Sequence, residues 1–349
     1  MAGSARRLDW RSGGWVLALA AALVVAVAVW LGGPLLRSSS RAVGDGRRVE
    51  SYGFDLEPLL VPRRLLVAAG FPKDGIPALV RPPRMRGDDV AALNDRVRGK
   101  YLVSDDRVIG VNLGGEARAY PLRVLNWHEV VNDELGGIPI AVTYHPLCDS
   151  AVVFDRRVGD EVLELGVSGL LYNSNQLLFD RQRAGQAESL WSQLLGRAVA
   201  GPAARAGLAL DVLPASLARW EDWLAGHPET SVLEPRPDLL SRYERDPYGN
   251  YRVRGQPRFP VEPLPPADGP MAMRPLVAIE RGGQHWTRFV DEAREGASEW
   301  SEPLPGVRVR ISGAARPGST LVEADQATRV VYSAWFAWHA HHPDERVER

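Results

Sequence analysis

The sequence predicts a β-rich α+β fold: two related antiparallel β lobes with short helices, preceded by one N-terminal transmembrane helix. Three observations predict it. Between Val108 and Phe179 short apolar runs alternate with turn residues at close spacing, which suits antiparallel strands better than βαβ units. Leu276–Gly283 (LVAIERGG) then echoes Val108–Gly115 (VIGVNLGG), down to the closing Gly-Gly. Ahead of both lies the apolar run WVLALAAALVVAVAVWL, from Trp15 to Leu31.

Residues 1–14 form a short basic segment with Arg6, Arg7 and Arg11, and residues 15–36 carry no charge. About 20 residues cross a hydrocarbon core of about 30 Å, and Trp15 and Trp30 stand where indoles favour the interface. The expectation is an uncleaved single-pass anchor in the cell membrane, N-terminus inside, with the body on the extracytoplasmic (periplasmic) side. The alternative is a cleaved signal peptide with its site around Ala26 to Ala28, which suits a shorter apolar core. Residues 37–48, rich in Ser, Gly and Arg, read as a linker.

The body is long enough for one large or two medium domains. Its charges nearly cancel, at a formal net of -1 for the chain, which argues against a nucleic-acid partner held by a basic face. Residues 49–106 are proline-rich and read as an extended strap with one short helix near Asp88 to Arg98. Residues 107–234 form the first lobe. Its strands begin with a hairpin through Gly114-Gly115 and continue at Ile138–Tyr144, Ala151–Phe154, Val162–Val167 and Gln176–Phe179; a helix is expected over Ser216–Ala225. Residues 235–270 are a proline-rich connection, and residues 271–349 a second, degenerate lobe. GVRVRISG from Gly306 echoes GIPIAVTY from Gly137, and Trp335, Trp338, His342 and Pro343 repeat the spacing of Trp220, Trp223, His227 and Pro228. Three echoes in one order indicate an internal repeat.

The chemistry concentrates in Trp127–Asp155, which holds the single cysteine, Cys148, with His128, His145, Glu129 and Asp133. One cysteine excludes an intramolecular disulfide. His145 and Cys148 enclose Pro146-Leu147, and two intervening residues let a tight turn aim both side chains at one point. Thiolate and imidazole suit a copper or zinc ion; His128, reached through the hairpin at Gly136-Gly137, is the nearest third ligand. Glu129 and Asp133 would act as acid/base or outer-sphere groups. Two alternatives stay open: Cys148 as the nucleophile of a metal-free hydrolase or transferase, and a non-catalytic module for a small polar ligand. Ser168, Tyr172, Ser174, Asn175, Asp180, Arg181 and Trp191 offer such a ligand donors, acceptors and an aromatic wall.

The runs WHEVVNDELGGIPIAVTYHPLCDSAVVFDR, VSGLLYNSNQLLFDR, SLWSQLLGRAVAG and WEDWLAGHPETSVL resemble the DUF3179 family, a domain family of unknown function. The resemblance covers residues 70–235 strongly and the second lobe loosely. It implies an extracytoplasmic bacterial or archaeal protein, often with a signal or anchor. The family commonly has Thr-Tyr-Cys-Pro-Leu-Cys where this chain has Thr143-Tyr144-His145-Pro146-Leu147-Cys148. That departure removes a dithiol but substitutes one soft metal ligand for another.

Overall fold

The computed structural model describes residues 43–347 apart from 98, 183–185, 291–299, 313–317 and 346. The expected membrane segment lies outside the described residues; among those described, no helix is long and apolar enough to cross a membrane.

The strap supplies β1 (Leu66–Ala68), β2 (Leu79–Val80), β3 (Arg84–Arg86) and the expected helix at Asp89–Arg96. The first half of the body runs through β4 (Arg107–Leu113), β5 (Glu116–Pro121), a helix at Leu122–His128, β6 (Val130–Leu135), β7 (Ile138–His145) and β8 (Ser150–Asp155). A long excursion follows: β9 (Arg157–Val158), β10 (Glu161–Val162), β11 (Leu165–Tyr172), β12 (Asn175–Asp180), β13 (Leu190–Ser192), β14 (Arg197–Ala200) and β15 (Val212–Leu213). The chain returns through β16 (Ser216–Arg219), a helix at Trp220–Gly226 and β17 (Ser231–Leu233). The second half comprises β18 (Pro275–Arg281), β19 (Gln284–Phe289), β20 (Ser301–Leu304), β21 (Val307–Ser312), β22 (Ser319–Glu323), β23 (Arg329–Ala334) and a helix at Trp335–His341.

The two halves do not form separate lobes. One sheet has the order β19-β18-β23-β8-β7-β6-β2, and a second has β20-β21-β22-β16-β4-β5-β17-β3. With β4, β5, β6, β7, β8 and β16 matched to β18, β19, β20, β21, β22 and β23, both sheets show one order with the halves exchanged. Registers repeat as well. Val108 pairs Pro121, and Leu276 and Phe289, each 168 positions later, pair in β18–β19. Ser216 pairs Gly110 as Val331 pairs Ala278, and Leu217 pairs Thr320 as Tyr332 pairs Ala151. Each half alone would leave unpaired edges at β8 and β16, and exchange of the three-stranded meanders covers both.

Two local expectations change. Ser216–Arg219 is a strand, because its backbone is taken up between β4 and β22; the helix starts at Trp220, with Glu221 and Asp222 in its first turn, where carboxylates favour the helix dipole. Ser168 to Tyr172 lie inside β11 rather than between strands.

Ile109 and Val111 share the core between these two sheets with Ile140, Val142 and Val153. The excursion builds a third sheet, β1-β11-β12-β13-β14, against the other side of the first: Ala141, Val152 and Phe154 meet Val167, Leu178 and Trp191. Burying each Val, Leu or Phe stabilises by about 1.5–3 kcal/mol, so this second face gives the excursion its reason to dock. The strap closes the far side of the third sheet with Val49, Tyr52 and Leu65 on Leu177 and Phe179.

Candidate functional site

Two hairpin turns meet at one end of the first and third sheets. In the turn after β7, the Cys148 N–H donates to the His145 carbonyl at 3.1 Å, with Pro146 at the position whose φ proline presets. In the turn between β11 and β12, Asn173 and Ser174 take φ of 50° and 66°, as a two-residue hairpin loop of the primed kind requires. The Ser174 carbonyl thereby faces the first turn, and both the His145 Nε2–H and the Cys148 thiol donate to it at 3.2 Å. A buried network clamps the turns together: Asn175 donates to Ser150 Oγ and Gln193 Oε1, and Gln193 Nε2 donates to Thr143 Oγ1. Four of the six non-glycine residues with positive φ among those described, Glu129, Asp149, Asn173 and Ser174, stand in or beside this site. Such conformations cost about 1–3 kcal/mol each and cluster where function demands them.

Glu129 reaches His145 from the other side. Its Oε2 lies 3.8 Å from Nδ1, and both residues are almost fully buried. With Nε2–H committed to Ser174, a neutral ring would turn the bare Nδ1 lone pair toward a carboxylate; a second proton removes that conflict. Burial by itself would push the His145 pKa down, but the adjacent Cys148 thiol and Glu129 carboxylate outweigh it and raise it to about 10. Glu129 thus stands at Nδ1, while Nε2–H and the Cys148 thiol converge on the Ser174 carbonyl.

Glu129, His145, Leu147 and Gln176 line a cavity of about 170 Å³ closed by Phe71, Ile76, Tyr248, Arg258 and Phe259. It opens where β11 bulges between Val167 and Leu171, and bulges recur beside active sites. Gly169 sits in the bulge at φ 79°, where a Cβ would come within 2.6 Å of the Tyr52 ring and 2.8 Å of the Phe71 carbonyl, so only glycine forms this wall. Cys148 has no exposed surface and is not part of the cavity wall; His145 stands between the two.

Other expected site residues lie elsewhere. His128 Nδ1–H donates to Pro77 O and its Nε2 accepts from the Tyr243 hydroxyl, both at 2.8 Å, and burial lowers its pKa. It ends a helix while Glu129 caps that helix at φ 55°; the reversal sends these neighbours to different partners, which corrects the expected convergence of His128 on His145 and Cys148. Asp133 bonds Arg118 Nη1 at 2.7 Å and the Tyr120 hydroxyl at 2.9 Å in the core, a structural pair rather than an acid/base group on the cavity. Ser168 donates to Leu177 O and accepts from Leu170 N, holding the bulge. Asp180 accepts from Ser189 N and Gln182 Nε2, and burial raises its pKa. Arg181 bridges Asp74 and Glu164 on the half-exposed surface. Tyr172 packs edge-on to His341, with ring centroids 5.2 Å apart, and Trp191 fills the core between the first and third sheets. Of the seven ligand-contact candidates, Ser174 stands at the centre.

The cavity residues Gln176, Tyr248 and Arg258 escaped the sequence reading. Their available signals were two adjacent amides, Asn175-Gln176, entering an apolar strand, and an aromatic-basic stretch inside a proline-rich connection.

Among the described residues, no group of three His, Cys, Asp or Glu side chains is spaced to hold a metal ion. Comparison with curated proteins and with solved structures finds no match. A family model described as "Protein of unknown function (DUF3179)" matches residues 73–298, a span containing Glu129, His145, Cys148, Gln176, Tyr248 and Arg258. The chain belongs to the DUF3179 family.

Proposed function

We propose that the protein binds a small polar molecule in the cavity at the β11 bulge, and that Glu129 and His145 exchange protons with it. One observation carries this reading: a buried imidazole–carboxylate pair, with Cys148 behind it, lines a cavity that the scaffold does not need. A proton donor and acceptor held side by side out of water is the arrangement that general acid–base chemistry uses. Cys148 lies behind His145 with its thiol donated to the Ser174 carbonyl. This favours the polar-ligand reading over a cysteine-nucleophile hydrolase, whose sulfur would have to reach substrate past His145.

The test is a thermal-shift screen of small polar molecules on the full chain. Glu129→Gln and His145→Gln are expected to abolish the stabilisation by any hit, while Arg281→Ala, on the remote surface, leaves it intact. A hit that stabilises all four proteins equally defeats the proposal.

A second reading has its own support. Cys148 Sγ and His145 Nε2 each lie 3.2 Å from Ser174 O, which brings a sulfur, an imidazole nitrogen and a carbonyl oxygen together as donors suited to a copper or zinc ion. Such an ion held there would displace the two protons. Elemental analysis of the full chain and of Cys148→Ala separates the readings, since stoichiometric metal lost in the variant favours the ion. For the chain's setting, we propose the single-pass anchor at residues 15–36 with the body outside the cytoplasm, as the apolar run supports; protease accessibility of the body in intact spheroplasts tests it.

A further inference from the structure

The cavity also carries information about which ligand it takes. Gln176 is almost fully buried on β12, where it pairs with Leu171 at the bulge and lines the cavity. Neither its Nε2 nor its Oε1 has a hydrogen-bond partner. Beside it Phe71, Ile76, Leu147, Val167, Leu170 and Phe259 make the apolar part of the wall, and Glu129, His145, Tyr248 and Arg258 complete it. An amide placed in such surroundings pays the full desolvation of a donor and an acceptor unless something answers both. The neighbouring amides make the contrast: Asn175 donates to Ser150 and Gln193, and Gln193 donates to Thr143 and accepts from Ser150 and Asn175. Gln193 is answered at both ends and Asn175 at its Nδ2 though not at its Oδ1, whereas Gln176, at the cavity, is answered at neither.

We infer that the ligand is a small uncharged amide with an apolar body. The group that answers a side-chain amide with one donor and one acceptor is another amide edge, with C=O and N–H side by side. A carboxylate could be met by Arg258 and by the Gln176 Nε2–H, but it supplies acceptors only and leaves Oε1 without a donor. A ketone or ester supplies no donor. The volume, about 170 Å³, equals about five or six water molecules at roughly 30 Å³ each. That is below the roughly 300 Å³ at which pockets for drug-sized ligands begin, and it suits one ring or a short branched chain attached to the amide. This inference rests on the cavity being a binding site, and adds to it what the ligand is.

Benzamide and acetophenone, which share size and carbonyl but differ in the N–H₂, are the probes, titrated calorimetrically into the full chain. The expected result is saturable binding of benzamide at least tenfold tighter than acetophenone, and loss of that preference in Gln176→Leu. The wild-type pair alone decides if that variant does not fold: equal affinities, or binding of neither probe, overturns the inference, as does a preference that persists in a folded Gln176→Leu. Repeating the benzamide titration in two buffers of different ionisation enthalpy separates this inference from the proton-exchange reading. Binding with an amide preference but no proton exchange keeps the inference and sinks that reading.

Discussion

The two halves of the fold share a scaffold and differ in what they hang on it. Trp220 N–H bonds Asp106 O, and Trp335 N–H bonds Arg274 O at the matching place; His227 stacks on Trp223 at 3.8 Å between centroids, and His342 on Trp338 at 4.0 Å. Yet the first half leaves β8 on a long excursion before it returns at β16, whereas the second passes from β22 to β23 through residues 324–328. The scaffold keeps its registers with or without that excursion. The Ser174 turn, Gln176 and the bulge all belong to the excursion, so the half that lacks it lacks the third sheet and the cavity wall.

The comparison can be broken most severely at Asp133. Arg118 and Asp133 are both buried, and the position matching Arg118 in the second half is Trp286. Removing one partner of a buried ion pair costs about 3–5 kcal/mol, so Asp133→Ala should lower unfolding free energy in urea by that amount. Gly110 gives a smaller and sharper test. A Cβ there would lie 2.2 Å from the Trp223 ring, while the matching residue of the second half is already Ala278. Gly110→Ala should destabilise by about 1–3 kcal/mol through overpacking, and Ala278→Gly by about 0.5–1 kcal/mol through backbone entropy alone; equal effects would mean that the halves pack alike.

The pH dependence isolates the site from the scaffold. The folded pKa of His145, about 10, stands above the ordinary 6.5. The folded state therefore holds the proton more tightly, and the resulting stability is complete below about pH 6.5 and drains away as pH rises toward 10. His341, lowered to about 4 by burial, works in the opposite sense: its contribution is present above pH 6.5 and lost as pH falls toward 4. Thermal midpoints of wild type should fall between pH 7 and 10 more steeply than those of His145→Gln. The smallest effect is expected at Arg181, whose side chain is 40% exposed; Arg181→Ala should cost no more than about 1 kcal/mol, because solvent screens its ion pairs.

Much of the scaffold could be read in advance, since alternation and paired glycines mark hairpins locally, and the repeat shows as three echoes in order. The exchange of meanders between sheets could not. Pairing of Leu217 with Thr320 joins residues far apart in the chain, and edge coverage, not local pattern, decides it. At the site, the short spacing of His145 and Cys148 was informative because one turn holds both. His128 misled because its neighbour Glu129 adopts a left-handed conformation that no flanking residue announces. Gln176 was invisible for a different reason: an amide inside an apolar strand looks the same in sequence whether the fold answers it or leaves it at a cavity.

The central claim is that His145 is held as a cation between Cys148 and Glu129 on the cavity wall. Nitrogen-15 NMR of the imidazole in the full chain at pH 8 tests it most directly. The account predicts both ring nitrogens protonated, with that state lost in Glu129→Gln; a neutral His145 ring in the wild type at that pH would contradict it.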